Sequence, residues 1–484
     1  MRLSALLETD LAPDSSSDPE IAGVTSDSRQ VRPGFLFAAL PGAKVDGKGF
    51  AEGAVKSGAV AVLASGPIEG LSVPVIESHD PRRTYALAAA AFWGKQPAVC
   101  VAVTGTNGKT SVATFCRQIF TRLGHRAASM GTLGVRAGDE QITPPGLTTP
   151  DAGDVAKLLA QLAERGVTHL ALEASSHGID QRRIDGVRLT AAGFLNLTQD
   201  HLDYHATMGA YRAAKLRLFE TLLPRGAPAV LNADSDAFPA FAATATFAGH
   251  PLLSVGERGQ ALKLASRTPL ADGQQLSIIA DGRTFDVKLP LVGAFQASNA
   301  LIAAGLCIAA GEAVEAVLAA LEHIEGAPGR LQRVGAGPRG GEAYVDYAHT
   351  PDGLETVLSA LRPHVSGRLI VVFGAGGDRD RGKRPIMGDI ASRLADVVIV
   401  TDDNPRSETP AAIRAAIIAS APGAKEIGDR AEAIKAAGAM LGQGDILVVA
   451  GKGHEQGQTV GDKVLPFDDV AQTRSALGLE AVHA

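Results

Sequence analysis

Cysteine is almost missing from this 484-residue chain. Only Cys100, Cys116 and Cys307 occur, none in a CxxC spacing. That excludes a disulfide scaffold and a thiolate zinc site, and it fits a reducing cytosol. Positive charge is not in excess either: 46 Lys and Arg stand against 52 Asp and Glu, a formal net charge of -6. Sequence-independent nucleic-acid binding needs a basic surface, so no nucleic-acid partner is expected. No run is long and apolar enough to span a bilayer, so no membrane insertion is expected. The start, Met1-Arg2-Leu3-Ser4-Ala5-Leu6-Leu7-Glu8, turns acidic before a signal-peptide core can form. Internal repeats and low-complexity segments are missing as well. What remains is 45% hydrophobic and 20% charged, the composition of a soluble globular protein, expected in the cytoplasm. Its length implies two to four domains.

Three short apolar runs, Leu369 to Phe373, Ala395 to Val400 and Ile446 to Ala450, each open into a charged loop. The loops read Gly374-Ala-Gly-Gly-Asp-Arg-Asp-Arg-Gly-Lys-Arg384, Thr401-Asp-Asp-Asn-Pro-Arg406 and Gly451-Lys-Gly-His-Glu455. Continuous β-branched runs separated by helix-length segments predict parallel strands in βαβ units. Loops at the carboxyl ends of such strands gather over one crevice, where ligands bind. Arg379, Asp403, Arg406 and Glu455 are therefore expected to line one pocket with cationic and anionic anchors, suited to a zwitterion such as an amino acid with a charged far end. Asn-Pro by itself is first a turn signal; three charged loops at three strand ends are the stronger pattern.

Three blocks follow from the breakers. Residues 1–95 mix short strands and turns and end in a helix over Arg82 to Trp93, before Gly94-Lys95-Gln96-Pro97. Residues 96–327 begin with a strand over Val99 to Thr104 and end near Glu325-Gly326-Ala327-Pro328-Gly329-Arg330. Residues 328–484 alternate strands (343–347, 369–373, 397–400, 446–450) with helices over Thr409 to Ala421 and Asp429 to Leu441, which predicts a doubly wound sheet.

Gly105-Thr106-Asn107-Gly108-Lys109-Thr110 lies between the strand at 99–104 and a helix whose Val112, Phe115, Ile119, Phe120 and Leu123 recur at helical spacing. Its physics is that of a phosphate cradle: backbone N–H groups and the helix N-terminus meet an anion, Lys109 supplies a point charge, and Thr110 can ligate Mg²⁺. Val103 stands where a full Walker A motif has glycine, so this is a shortened variant. An ATP site is expected over Gly105, Thr106, Asn107, Gly108, Lys109, Thr110 and Ser111.

Val167 to Leu172 predicts a strand ending at Glu173-Ala174-Ser175-Ser176-His177-Gly178. Another, Ala191 to Leu197, ends at Thr198-Gln199-Asp200-His201. If both run parallel to the strand before the phosphate loop, Glu173 and His201 reach the edge that carries Thr110. Carboxylate, imidazole and hydroxyl around phosphate oxygens make a reasonable Mg²⁺ shell. His201 and His205 at i, i+4 would suit zinc, but no third ligand follows at a fixed spacing. His205 reads as structural. Lys215, from its surroundings in the sequence, reads as a solvated helix lysine.

Together these pieces resemble the Mur ligases, the ATP-dependent amino-acid-adding enzymes of peptidoglycan synthesis. Asp27-Ser28-Arg29 with Pro33-Gly34-Phe35-Leu36-Phe37, Gly105 to Thr110, Thr148-Thr149-Pro150, Glu173 to Gly178, Asn196 to His205 and Tyr211 to Lys215 carry the resemblance. Asn299, Pro328-Gly329-Arg330, Asp346 to Asp352 and Gly376 to Arg384 continue it, so it covers essentially the whole chain. Asp403-Asn404-Pro405-Arg406 looks like the signature of the branch that adds meso-diaminopimelate; lysine-adding relatives lack the arginine. The resemblance implies three α/β domains, the central one a P-loop-type ATPase domain and the last Rossmann-like. It implies Ser28, Ala43, Lys44 and Val45 at a uridine diphosphate end, and Thr148, Thr149, Ser175, Gln181 and Arg183 at the muramoyl-dipeptide part. Lys109, Lys215 and His201 would be catalytic. Asn299, Arg330 and Asp346 would contact ATP. Thr110, Glu173, His201 and Lys215 would hold Mg²⁺, the last as a CO₂-derived carbamate, a role that reverses the solvated reading. Arg379, Asp403, Asn404, Pro405, Arg406, Gly451 and Glu455 would bind meso-diaminopimelate. The implied co-substrates are ATP and UDP-N-acetylmuramoyl-L-Ala-D-Glu, and a monomer is expected. Arg406 argues against a lysine-adding relative, and the Asp27-Ser28-Arg29 block against a folylpolyglutamate synthase. Joint retention of Lys109, Glu173, His201 and Lys215 argues against a catalytically dead nucleotide-binding regulator.

Overall fold

The computed structural model of the chain describes residues 1–7, 18–42, 45–270 and 272–479. Two compact units emerge, one of Met1–Ala261 with Ile302–Val317, the other of Leu262–Leu301 with Leu318–Ala484. The expected boundary at 95 falls inside the first unit and that at 327 inside the second. Contacts thus partition the chain differently from its breakers.

In the first unit, β1 (Gly23–Thr25), β2 (Phe35–Ala39), β3 (Ala59–Ala64) and β4 (Val75–Glu77) form a parallel sheet in that order. The helix Pro81–Trp93 packs beside it and carries two start signals, an Asp80 carboxylate that accepts from Arg83 N at 3.1 Å and a proline in the first turn. A larger sheet takes β5 (Val99–Thr104), β6 (Ala127–Gly131), β7 (Gly134–Ala137), β8 (Glu140–Thr143), β9 (His169–Glu173), β10 (Ala191–Phe194), β11 (Ala229–Asn232) and β12 (Leu252–Gly256). They lie in the order β12-β11-β10-β5-β9-β6-β7-β8, parallel from β12 to β6. β5 is central and apolar along its length because both its faces are covered. Glu173 pairs with Val103 and Phe194 with Thr104, so β5, β9 and β10 end level with one another.

In the second unit, β13 (Leu262–Leu270), β14 (Gly273–Ala280) and β15 (Arg283–Leu289) form an antiparallel meander. β16 (Gln332–Ala336), β17 (Glu342–Asp346), β18 (Leu369–Phe373), β19 (Val397–Val400), β20 (Lys425–Glu426) and β21 (Ile446–Ala450) build the second sheet, ordered β16-β17-β21-β18-β19-β20 and antiparallel only at β16. Alternate residues of each strand enter different cores. Leu369, Val371 and Phe373 meet Leu354, Met387 and Ile413 on one face, while Ile370 and Val372 meet Ile434, Ala437 and Leu477 on the other. Helices on both faces make this the doubly wound architecture expected. A ribbon of β22 (Gly457–Val460) and β23 (Lys463–Pro466) follows β21.

Candidate active site

The phosphate loop joins β5 to the helix Lys109–Arg122. It is stitched to the loop after β10: Thr106 N donates to Asn196 O at 3.0 Å, Asn107 N to Asn196 Oδ1 at 2.9 Å, and Thr106 Oγ1 to Thr198 O at 3.2 Å. Lys109 Nζ donates to the carbonyls of Gly105 and Thr106, both at 2.9 Å. Thr110 and Ser111 are buried in the first helical turn. Thr110 Oγ1 donates to Glu173 Oε2 at 3.0 Å, and Glu173 Oε1 accepts from Thr132 N at 2.9 Å. Glycine is required at 131, because a Cβ there would come within 1.9 Å of Glu173 Oε1.

Lys215 is not solvated; it is 1% exposed. Its Nζ donates to Gly105 O at 2.8 Å and lies 4.5 Å from the centroid of the Tyr211 ring, whose hydroxyl reaches Thr106 Oγ1 at 3.2 Å. Burial, reinforced by Lys109, pushes the Lys215 pKa well below that of a free lysine, with Asp200 opposing. Burial also raises the Tyr211 phenol to about 12. His201 has a left-handed backbone, φ 53°, and its half-exposed ring stands 6.0 Å from that of Tyr211 and 4.9 Å from that of His177. Thr110 and Glu173 thus touch, Lys215 reaches the same loop directly, and His201 borders it through Tyr211. His205 is buried between Tyr204 and Tyr211, a packing role.

Another group of metal-ligating side chains, His125, His169 and Glu312, adjoins the opposite end of β9. His125 Nε2 is 2.8 Å from Glu312 Oε1, and the two imidazoles stack 3.9 Å apart at 31°. His169 Nε2 lies 3.8 Å from the same oxygen, so both rings face one carboxylate, away from the phosphate loop.

The residues expected at the muramoyl-dipeptide part do come together. Thr149 Oγ1 donates to Glu173 O at 2.9 Å and lies 2.9 Å from Ser175 Oγ. Arg183 donates to Thr149 O at 2.6 Å and to Gln181 Oε1 at 2.8 Å, and Thr148 Oγ1 is 3.0 Å from Thr132 Oγ1. Ser28 opens a short 3₁₀ turn capped by Asp27, and Val45 is exposed; Ala43 and Lys44 lie outside the described residues. Asp27 and Arg29 line a cavity of about 650 Å³ together with Tyr85, Trp93, Asp151 and Lys157. Sequence reasoning missed Asp151, whose carboxylate accepts from Ser26 Oγ at 3.3 Å and Tyr85 OH at 3.2 Å. Its signal was its place directly after Thr148-Thr149-Pro150.

The remaining candidates belong to the second unit. Asn299 Nδ2 donates to Gln296 Oε1 at 3.1 Å, and the Arg330 guanidinium lies 4.7 Å from the Tyr347 ring centroid. Asp346, at the end of β17, accepts from Leu331 N and Ala348 N, both at 2.7 Å; burial raises its pKa while Arg330 and these N–H groups oppose the rise.

The loops after β18, β19 and β21 converge as expected. A Cβ on Gly376 would lie 2.8 Å from Arg406 Nη1 and 3.8 Å from Arg379 Cγ, so both arginines flank that glycine. Arg406 holds φ 52°, a conformation costly for a residue with a Cβ, fixed by Arg406 N donating to Thr459 O at 3.1 Å and Gly461 N to Arg406 O at 2.8 Å. Its Nη1 donates to Gly377 O at 2.8 Å. Asp403, Asn404 and Pro405 are buried beside it, and Asn404 Nδ2 donates to Glu455 Oε2 at 3.0 Å. A Cβ on Gly451 would lie 3.2 Å from Asp403 Oδ2, which puts the first residue of the third loop against the second. Sequence reasoning missed Lys452, fully buried among these groups; a lysine between two glycines gives no periodic cue to burial.

Known proteins resemble the chain over nearly its whole length. Residues 103–307 match the Mur ligase middle domain, 329–453 the Mur ligase glutamate ligase domain, and 20–93 the Mur ligase family catalytic domain. The chain is 70% identical over 487 residues to the UDP-N-acetylmuramoyl-L-alanyl-D-glutamate–2,6-diaminopimelate ligase of Caulobacter vibrioides, covering 99% of each. It is 55% identical over 470 residues to the ligase of the same name from Mesorhizobium japonicum, covering 96% of each. A solved structure of a ligase of that name, 35% identical, matches over 95% of both chains with a TM-score of 0.75. The chain belongs to the Mur ligase family.

Proposed function

We propose that the chain is the ATP-dependent, ADP-forming ligase that adds meso-diaminopimelate to the D-glutamate of UDP-N-acetylmuramoyl-L-Ala-D-Glu in peptidoglycan precursor synthesis. The observation that carries this reading is the 70% identity, across 99% of both chains, to a ligase with that name. The enzyme would act as a cytoplasmic monomer. Among the described residues no helix is long and apolar enough to cross a membrane.

An amine does not displace an oxygen from a carboxylate at useful rates until that oxygen becomes a leaving group. In this reading the D-glutamate side-chain carboxylate attacks the γ-phosphorus of ATP, releasing ADP and forming an acyl phosphate. The diaminopimelate amine then adds to the acyl carbon, loses a proton, and phosphate departs. Phosphoryl transfer asks the protein mainly for position and charge. Gly105 to Ser111 would cradle the phosphates, with Lys109 supplying a positive point. Asn299, Arg330 and Asp346 would contact the nucleotide.

Hard oxygen donors suit Mg²⁺, and Thr110 Oγ1 with Glu173 Oε2, 3.0 Å apart at the end of the loop, fit that requirement. Bound there, Mg²⁺ would neutralise charge on the transferring phosphoryl group. His201 would stand at the border of that site. Lys215 is proposed as a carbamate: its neutral amine takes CO₂, releases a proton and becomes a carboxylate-like donor. Burial and the Lys109 charge, which favour the neutral amine, support this.

The cavity beside Ser28, with Ala43, Lys44 and Val45, would take the uridine diphosphate end. Thr148, Thr149, Ser175, Gln181 and Arg183 would take the dipeptide. Arg379 and Arg406 would hold carboxylates of diaminopimelate, with Asp403 and Glu455 facing its ammonium groups and Asn404, Pro405 and Gly451 shaping the wall. The test is phosphate release from ATP with the UDP-dipeptide substrate against a panel of amino acids. Release dependent on meso-diaminopimelate is expected; release with lysine alone would favour the lysine-adding reading.

A further inference from the structure

We infer that Lys452 is a positioning residue for the amino-acid pocket: it fixes which way the Asn404 amide faces and balances the two carboxylates beside it. Its side chain is 0% exposed, and Nζ donates to Asn404 Oδ1 at 2.9 Å and to Gly457 O at 2.7 Å. The same nitrogen lies 3.5 Å from Asp403 Oδ1 and 3.6 Å from Glu455 Oε2. An ammonium has three protons; two serve the carbonyl oxygens, and the carboxylates stand at ion-pair distance.

The consequence falls on Asn404. Its Oδ1 also accepts from Thr459 N at 2.9 Å, so two donors define that atom as oxygen. The Nδ2 group must then face Glu455, to which it donates at 3.0 Å. A reversed amide would set an NH₂ against the Lys452 ammonium and against an N–H, and a carbonyl oxygen against the Glu455 carboxylate. Lys452 thereby excludes the wrong orientation and holds Glu455 as an acceptor. It also places one positive charge near both Asp403 and Glu455, whose like charges would otherwise repel. Gln458 Nε2 donates to Asp403 O at 2.6 Å, so the ribbon carrying Gly457 and Thr459 closes the same network.

This inference rests on the reading that the pocket receives diaminopimelate, and it concerns binding of that substrate rather than phosphoryl transfer. Lys452→Gln keeps a donor for Asn404 but removes the charge. Its KM for diaminopimelate should rise about 10- to 100-fold, the range for losing a hydrogen bond to a charged group. The KM for ATP and calorimetric binding of the UDP-dipeptide substrate should stay within about twofold, with kcat little changed, as for lost ground-state binding. In the Asn404→Ala background the same substitution should cost less than alone, because the part that acts through the amide is already lost and only the charge balance remains. An unchanged diaminopimelate KM, a parallel rise in every KM, or fully multiplicative losses would each overturn the inference. If Lys452→Gln fails to bind the UDP-dipeptide, Lys452→Arg is measured in its place. It keeps the charge but moves the donors, so a raised diaminopimelate KM alone is expected and an unaltered one overturns the inference. Failure of the wild type to ligate diaminopimelate would instead overturn the functional reading.

Discussion

Lys215 Nζ donates to the carbonyl oxygen of Gly105 at 2.8 Å, a bond that ties a helix residue to the phosphate loop 110 positions earlier. A lysine amine held against the loop's own backbone, 1% exposed and near a second lysine, is costly to keep protonated. That cost is expected at a functional position and is unusual elsewhere.

Lys215→Ala should lower ligation by about 10- to 100-fold, as losing support for a metal site does. A short carboxylic acid filling the gap should restore part of it. A fully active Lys215→Ala enzyme would remove Lys215 from the mechanism.

Stability should respond to the same lysine. Its folded pKa lies below the unfolded value of 10.5, so between the two the unfolded chain binds the extra proton and stability rises with pH. Lys215→Met should therefore raise the melting temperature at neutral pH in CO₂-free buffer, and the gain should shrink as pH approaches 10.5. Thermal melts of both proteins across pH check this; a gain that grows with pH contradicts it.

Lys109→Ala should lose about 100- to 1,000-fold in ligation, the size of one preorganised charge or donor. Binding of the UDP-dipeptide substrate should survive, because the proposed contacts to it lie on other loops. Calorimetry on the folded variant decides: loss of that binding would refute the division.

Arg406 should set amino-acid choice. A guanidinium matches a carboxylate with two parallel donors, and lysine lacks the second carboxylate of diaminopimelate. A buried arginine left unpaired costs about 3–5 kcal/mol, or two to four orders of magnitude. Arg406 is half-buried and keeps one bond to Gly377 O, so the lower end of that range is expected. Arg406→Ala should lose most of the preference and Arg406→Lys recover part. The measurement is kcat/KM for both amino acids; equal use of lysine by the wild type would refute the specificity.

Arg430 and Asp469 form a fully buried pair with two bonds of 2.7 Å, and Arg430 also donates to Ala450 O at 3.0 Å, at the end of β21. Arg430→Met strands the Asp469 charge and should destabilise the protein by about 3–5 kcal/mol, whereas adding Asp469→Leu should recover much of that. Urea melts of the single and double variants test it.

Local physics made much of this protein legible in its sequence. The β-branched runs at 369–373, 397–400 and 446–450 coincide with β18, β19 and β21, because a strand covered on both faces has to be apolar throughout. The phosphate loop was legible for a similar reason: glycine and lysine at a strand-to-helix turn leave little else for the backbone to do. The strand at 343–347 came out one residue early, as Glu342–Asp346, which makes Asp346 the last strand residue rather than an interior one. Tertiary structure alone decided the state of the long polar side chains. Lys215 and Lys452 look solvated by every local rule, yet each is buried by segments far away in sequence, the phosphate loop for one and the loop after β19 for the other. Periodicity reports which face of an element turns inward; it carries no information about which distant carbonyl or carboxylate waits there. The division into two units is of the same kind. Breaker-rich linkers mark where the chain turns, but only packing assigns Leu262–Leu301 to the unit that also holds the last sheet.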